Sequence, residues 1–214
     1  MKSKFGIFCM ILGAALMFGA AFLYRANLAE DQVAQEAAAE VLPQLVQQIT
    51  EQIAQEETIP EQETIPGLEL QVPVELLTEA DKEMTELEIN GHSYIGYLSI
   101  PKLDLELPIM SGWSYRKLNI APCRYVGSVK GEDLVLMAHN YNSHFGRISR
   151  LELGDTVSFT DMDGHTTYYE VVGEDLLPPT AVEEMTSGDF DLTLFTCTYG
   201  GGSRVTVYCD RVIE

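Results

Sequence analysis

The chain has 214 residues, enough for one folded domain with extensions and too few for two large ones. Lys and Arg number 13 against 33 Asp and Glu, a formal charge of −20, which argues against nucleic acid as a partner because phosphate binding needs clustered cations. The apolar share of 46% is ordinary for a folded protein, but the apolar residues are unevenly spread.

Residues 5–24, FGIFCMILGAALMFGAAFLY, carry no charge. As a helix they would span roughly 30 Å, the hydrocarbon thickness of a bilayer. Lys2 and Lys4 precede them, so the positive-inside rule predicts a cytoplasmic tip at 1–4 and an extracellular remainder. The run is long for the apolar part of a cleaved signal peptide, and Cys9 follows bulky Phe8 too early for a lipoprotein signal. A single-pass anchor in the cell membrane is expected.

Residues 25–85 hold 2 cations, 14 anions and no aromatic residue. Val33, Ala37, Val41, Leu45, Ile49 and Ile53 recur every four residues, with Ala34, Ala38, Leu42 and Val46 beside them, which predicts a helix. Pro43 is expected to kink or split it. The stripe is Ala-rich and lacks a heptad period, so a solvated stalk is expected rather than a coiled coil or partner-binding helix. EETIP and QETIP, around Pro60 and Pro66, read as an extended spacer. A loose coil of this length would hold the following domain about 40 Å from the membrane.

From residue 86 the texture changes. Seven strands are predicted at 94–100, 105–110, 134–139, 156–160, 166–172, 192–197 and 204–212, punctuated by Gly and Pro. Short helical turns are predicted at 115–118 and 181–186. This is the pattern of an all-β barrel or sandwich.

Cys9 lies in the apolar run, leaving Cys123, Cys197 and Cys209, an odd number, in the domain. A disulfide could join Cys123 to Cys209, and a small buried hydrophobe is the ordinary role of a free Cys. Cys197 differs. It ends the strand Leu192–Thr196, and Gly200, Gly201 and Gly202 follow. A tight hairpin centred on Gly200 and Gly201 sets Cys197 directly opposite Arg204, on the same face. A guanidinium there favours the thiolate and can stabilise an oxyanion. Cys209, five residues beyond Arg204, falls on the other face and reads as structural.

A thiol nucleophile needs a proton-transfer partner. His92 and His165 sit in polar turns, Asn90-Gly91-His92 and Asp163-Gly164-His165. His139 ends the apolar strand Leu134–Ala138 and can serve as general acid or base at its mouth. His144, in the next loop, is its rival. Zinc held by His139, His144 and Cys197 is disfavoured, because His-x4-His without a CxxC pair is a weak signal and Arg204 would repel a cation.

Thr193-Leu194-Phe195-Thr196-Cys197, with Arg204 on the next strand and His139-Asn140 upstream, resembles the signature of sortases. The runs Tyr94–Leu103 and Leu105–Ile109 are similar to the opening of the sortase domain, and the resemblance covers about 88–214. It implies an eight-stranded sortase-type β-barrel at 86–214, behind an anchor at 5–24 and an acidic stalk at 25–85. It further implies a membrane-bound cysteine transpeptidase, needing no cofactor, that cuts an LPXTG-like sorting signal of surface proteins between Thr and Gly. In this resemblance Cys197 is the nucleophile, His139 the acid and base, and Arg204 the oxyanion ligand. Thr196 contacts the oxyanion or the substrate Thr, and Leu176, Pro178, Thr180 and Ala181 line a Leu-Pro pocket. The acyl group passes to an amine of a cell-wall precursor or a pilin. Some relatives bind calcium near the loop of Glu183 and Glu184, but adjacent Glu residues are usually solvated and no metal is expected. No second apolar span follows Val212, which disfavours relatives with a C-terminal anchor, and 174–191 is too short for the long helix of class B enzymes. The alternatives are a catalytically weak sortase-like module that binds surface proteins, and a hydrolase that releases them to water.

Overall fold

In the computed structural model, which describes residues 2–56 and 83–212, the alternating apolar residues of the C-terminal part curl into a barrel. The strands are β1 (Leu87–Ile89), β2 (His92–Ile100), β3 (Leu105–Met110), β4 (Cys123–Val126), β5 (Leu134–Ala138), β6 (Thr156–Asp161), β7 (Thr166–Leu177), β8 (Leu192–Cys197) and β9 (Arg204–Arg211). They pair in the order β1-β2-β3-β4-β5-β8-β9-β7-β6, and β6 returns to β2, closing β2–β9 into an eight-stranded mixed barrel. β1 is a short extra strand beside the start of β2. The pairs β3–β4 and β5–β8 are parallel and the others antiparallel.

Every second side chain enters the core. Leu98 and Ile100 meet Leu105, Leu107 and Ile109, and opposite them lie Leu134, Leu136, Leu192, Leu194, Val207 and Cys209. Closure depends on Gly96. Its φ is +143°, and a Cβ there would run into the Thr160 carbonyl of β6. Only glycine lets the two strands approach at this bulge.

The seven predicted strands are present with small changes of end. β1 and β4 were not predicted, and β7 runs five residues further than expected, past a register shift between Val171 and Gly173. The expected turns appear as α2 (Tyr115–Leu118) and α3 (Val182–Met185).

The largest departure is at the N-terminus. One helix, α1 (Lys2–Glu56), is long and apolar enough to cross a membrane, and it continues without a break through the residues expected to form a free stalk. Ala34, Ala38, Val41, Leu45 and Ile49 are buried. Val41, Leu45 and Ile49 pack on Ile89, Tyr94, Met110, Leu118 and Ala121 of the barrel domain. The stripe read as solvated is therefore a docking face, and its alanines let the helix backbone approach closely. Pro43 is exposed and does not split the helix. It removes one backbone hydrogen bond on the solvent side, where water can satisfy the freed carbonyl, while Val41 and Leu45 hold both flanks. The EETIP and QETIP repeats lie outside the described residues.

Burying each of these three side chains is worth about 1.5–3 kcal/mol. Leu45 is fully buried. We expect Leu45→Ala to destabilise the protein by about 2–5 kcal/mol in urea unfolding, against almost nothing for a truly solvated stalk.

Candidate active site

Two strand pairs assemble the site. Parallel β5 and β8 run in register, Ala138 beside Thr196, so the following residues, His139 and Cys197, leave the barrel at one rim. Neighbouring strands are about 4.8 Å apart. Antiparallel β8 and β9 pair Cys197 directly with Arg204, as the hairpin reading predicts. The turn is closed by Thr198 N donating to the Ser203 carbonyl at 2.9 Å and Ser203 N donating to Thr198 Oγ1 at 3.0 Å. Gly200 and Gly201, with φ of +80° and +74°, supply the left-handed positions this tight connection requires. One step further across the sheet, Leu177 of β7 pairs with Arg204.

Alternation puts Cys197 on the outer face of the sheet together with Thr193 and Phe195, while Leu192 and Leu194 point into the core. Phe195 rests on Val135, Met185, Met137 and Leu177, a small cluster outside the barrel that supports the strand below the thiol. Cys197, His139 and Arg204 are all half-buried. Arg204 Nη1 donates to the Gly201 and Ser203 carbonyls at 3.2 and 3.1 Å, which ties the guanidinium to its own turn. No described carboxylate pairs with it.

His139 Nε2 lies 3.1 Å from Asn119 Oδ1. Since that oxygen can only accept, Nε2 is the donor and Nδ1 is left to exchange protons. Burial lowers the His139 pKa below its ordinary value, against the opposing pull of the Glu30 carboxylate, so the ring is neutral near pH 7. Its ring lies 5.0 Å from Tyr141.

His144, the rival, is fully buried behind Tyr141, their rings 5.5 Å apart. It is sealed from any substrate. Burial, helped by repulsion from His139 and opposed by Asp31, pushes its pKa down to about 4. The unfolded chain therefore binds a proton here that the folded protein refuses. Stability should be intact above about pH 6.5 and fall as the pH drops towards 4, by about 3 kcal/mol in all. Urea titrations across that window should show the loss, and His144→Phe should flatten it.

Thr196 is buried and its hydroxyl donates to the Ala138 carbonyl at 2.8 Å. It fastens the end of β5, one residue before His139, so its hydroxyl is already engaged. Of the four expected pocket residues, Pro178 and Ala181 share one turn, with Ala181 N donating to the Pro178 carbonyl at 3.1 Å. Leu176 projects from β7 and is exposed, Pro178 and Thr180 are exposed beyond it, and Ala181 is buried. Cys123 and Cys209 are unpaired, buried on β4 and β9, with burial pushing each thiol up to about 12. Among the described residues one group could offer ligands to a metal, Asp161, Asp163 and His165 in the β6–β7 turn. There Asp161 Oδ1 accepts from His165 N at 2.8 Å, which already explains the cluster as a turn.

Sequence reasoning missed the contribution of α1. A cavity of about 370 Å³ beside His139 is lined by Asn140, Tyr199, Tyr24, Asn27, Glu30 and Asp31, among others. Ser143, in the loop after His139, donates from its backbone N to Asp31 Oδ1 at 2.9 Å and bonds the same carboxylate through its hydroxyl. Tyr141 OH donates to Glu30 Oε2 at 3.5 Å. Partial burial raises the Asp31 pKa, but the hydrogen bonds from Ser143 and Asn142 outweigh it and hold the carboxyl below its ordinary value. A second cavity, of about 380 Å³, holds Cys197, Thr196, Asn140, Asn142 and Tyr199, so the loop after His139 divides the two.

The family model described as Sortase domain matches residues 98–212. Among solved structures, sortase A from Corynebacterium diphtheriae aligns at 24% identity over 57% of this chain and 62% of its own, with a TM-score of 0.53. Its lid mutant aligns at 23% over 57% and 72%, with a TM-score of 0.50. Sortase C1 from Streptococcus suis aligns at 28% identity over 57% of this chain and 75% of its own, with a TM-score of 0.50. This chain thus spans under two thirds of the C. diphtheriae enzyme. A comparison with curated proteins finds no match.

Proposed function

Because this chain belongs to the sortase family, whose members are cysteine transpeptidases, we propose that it cleaves an LPXTG-like sorting signal between Thr and Gly and transfers the protein to an amine. The observation that carries the reading is the register that pairs Cys197 with Arg204 and sets Ala138, the residue before His139, beside Thr196, the residue before Cys197. The Cys197 thiol passes its proton to His139 Nδ1 as its sulfur attacks the Thr carbonyl carbon. The carbonyl oxygen takes the negative charge, and the free guanidinium nitrogens of Arg204 bind it. His139 gives its proton to the departing Gly nitrogen, the C–N bond breaks, and a thioacyl enzyme remains. An incoming amine, from a cell-wall precursor or a pilin, loses its proton to His139 and displaces the thiol. Water is the slow substitute.

Thr196 acts on this centre through Ala138, holding the strand that presents His139. Leu177 of β7, across β9 from Cys197 and on the same face, and the exposed Pro178 after it offer an apolar surface to the Leu-Pro part of the signal, whereas Leu176 alternates to the other face. α1 crosses the cell membrane with its N-terminus in the cytoplasm, and the barrel lies outside.

The test is intact-mass spectrometry of the full chain in detergent, incubated with LPXTG-type peptides. A mass gain equal to the peptide up to its Thr, absent in Cys197→Ala, is the expected result. A folded protein that gains no mass from any peptide would overturn it. Product analysis with and without an amine then separates a transferase from a hydrolase.

A further inference from the structure

The domain lies along α1 with a defined polarity. At one end Asn27 Nδ2 donates to Tyr199 OH at 2.5 Å, and Asp31 holds Ser143. At the other end Ile53 covers Gly164 in the β6–β7 turn. Between residues 27 and 53 the helix rises about 39 Å, so the site and the β6–β7 turn are at opposite ends of the domain.

The site end is the membrane end. Tyr24 closes the uncharged run of residues 5–24 and also lines the cavity beside His139. Asp31 stands only about 10 Å further along an unbroken helix. The headgroup region extends roughly 5–8 Å beyond the hydrocarbon on each side, so this cavity falls within or just above it. The residues at its mouth suit that layer. Tyr24 and Tyr199 are amphipathic aromatics, both largely exposed in the protein itself, and such side chains collect at the membrane interface.

We infer that the face carrying Tyr24, Tyr199 and the β8–β9 turn is a membrane-docking surface, and that α1 seats the mouth of the cavity beside His139 in the lipid headgroup layer. This rests on the reading of α1 as the membrane-crossing helix. The partner is the surface of the bilayer that α1 itself crosses. Far from standing on a spacer, the catalytic rim meets its acyl donor and amine acceptor at the lipid surface, and a membrane-borne amine has direct access. The β6–β7 turn, with His165, is the end that faces away.

Trp113 is the sole tryptophan, which makes the placement measurable. The full chain carrying Trp113→Phe and Tyr199→Trp is reconstituted in phosphatidylcholine vesicles bearing a nitroxide either on the headgroup or at the middle of the acyl chain. The expected result is loss of most of the emission with the headgroup nitroxide and little loss with the chain-centre one. His165→Trp in the same background should lose almost nothing with either. Gly202→Trp probes the same turn without removing the Tyr199 hydroxyl, since Gly202 has φ of −70° and open space around it. Emission from positions 199 and 202 that neither nitroxide quenches would overturn the inference. So would equal quenching at 165 and 199, which would mean that the domain lies flat. No peptide is cleaved in this measurement, so the transferase reading and the docking surface fail separately.

Discussion

Cys197→Ala is expected to reduce peptide transfer by on the order of 10⁴-fold or more while leaving the melting temperature essentially unchanged. Both halves follow from where the side chain points. Cys197 stands on the outer face at the end of β8, half-buried, and contributes to none of the buried apolar clusters. Trimming it to Ala leaves no core cavity, so the stability cost should stay within about 0.5 kcal/mol. No other thiol can substitute. Cys123 and Cys209 are buried and their thiols are pushed up to about 12, and Cys9 sits in the apolar run of α1. Removing Cys209 should do the reverse, weakening the core and sparing the chemistry, because its side chain packs between Leu192 and Val171 of the neighbouring strands. The checks are a chromatographic transfer assay beside a thermal melt, with peptide mapping after limited iodoacetamide treatment. Label confined to Cys197 in the wild type is expected. Appreciable turnover in the Ala variant, or label on Cys123, would move the nucleophile elsewhere.

The pairing of Cys197 with Arg204 was legible in the sequence because a hairpin is local. Once Gly200 and Gly201 mark the turn, counting outward pairs Cys197 with Arg204, and no tertiary information is needed. The position of His139 at the end of β5 was legible because a polar residue ending a continuous apolar strand is conspicuous. β1 and β4 were not, since Leu87–Ile89 and Cys123–Val126 are too short to show a period against their polar neighbours. The tail of β7 was hidden by Gly173, Glu174 and Asp175, which read as loop yet pair with β9 past the register shift. Asn119 gave no signal at all. It reaches His139 only because α2 turns the chain back.

The docking of α1 is the instructive failure. Its stripe was seen, but Ala34 and Ala38 were taken as weakness, whereas small side chains are what a close helix–barrel approach needs. Read upstream, the same stripe passes through Asp31 and Asn27, which was the available clue that this face meets the site. The direction in which a helix packs is a long-range fact, and composition alone cannot supply it.

Arg204→Ala should lower kcat/KM by about 10²–10³-fold, the usual cost of losing one oxyanion donor. Arg204→Lys should recover only a small part of that loss. In the structure Nη1 is held by the Gly201 and Ser203 carbonyls, and among the described residues Nε and Nη2 have no protein acceptor. The guanidinium thus spends one nitrogen on being aimed and keeps others for the substrate. A lysine ammonium cannot divide these tasks. It is a compact charge on a flexible stem, and bonding the turn carbonyls would draw it away from the thiol. A substitution that merely removed a nearby positive charge would be rescued by Lys, so the Lys variant separates aimed donation from general electrostatics. Single-turnover acylation, followed by intact mass, locates the defect. Slower thioacyl formation with an unchanged peptide affinity is the expected outcome, because the oxyanion exists only in the transition state and the intermediate. Full activity in the Lys variant, or a loss confined to peptide binding, would remove Arg204 from the oxyanion role.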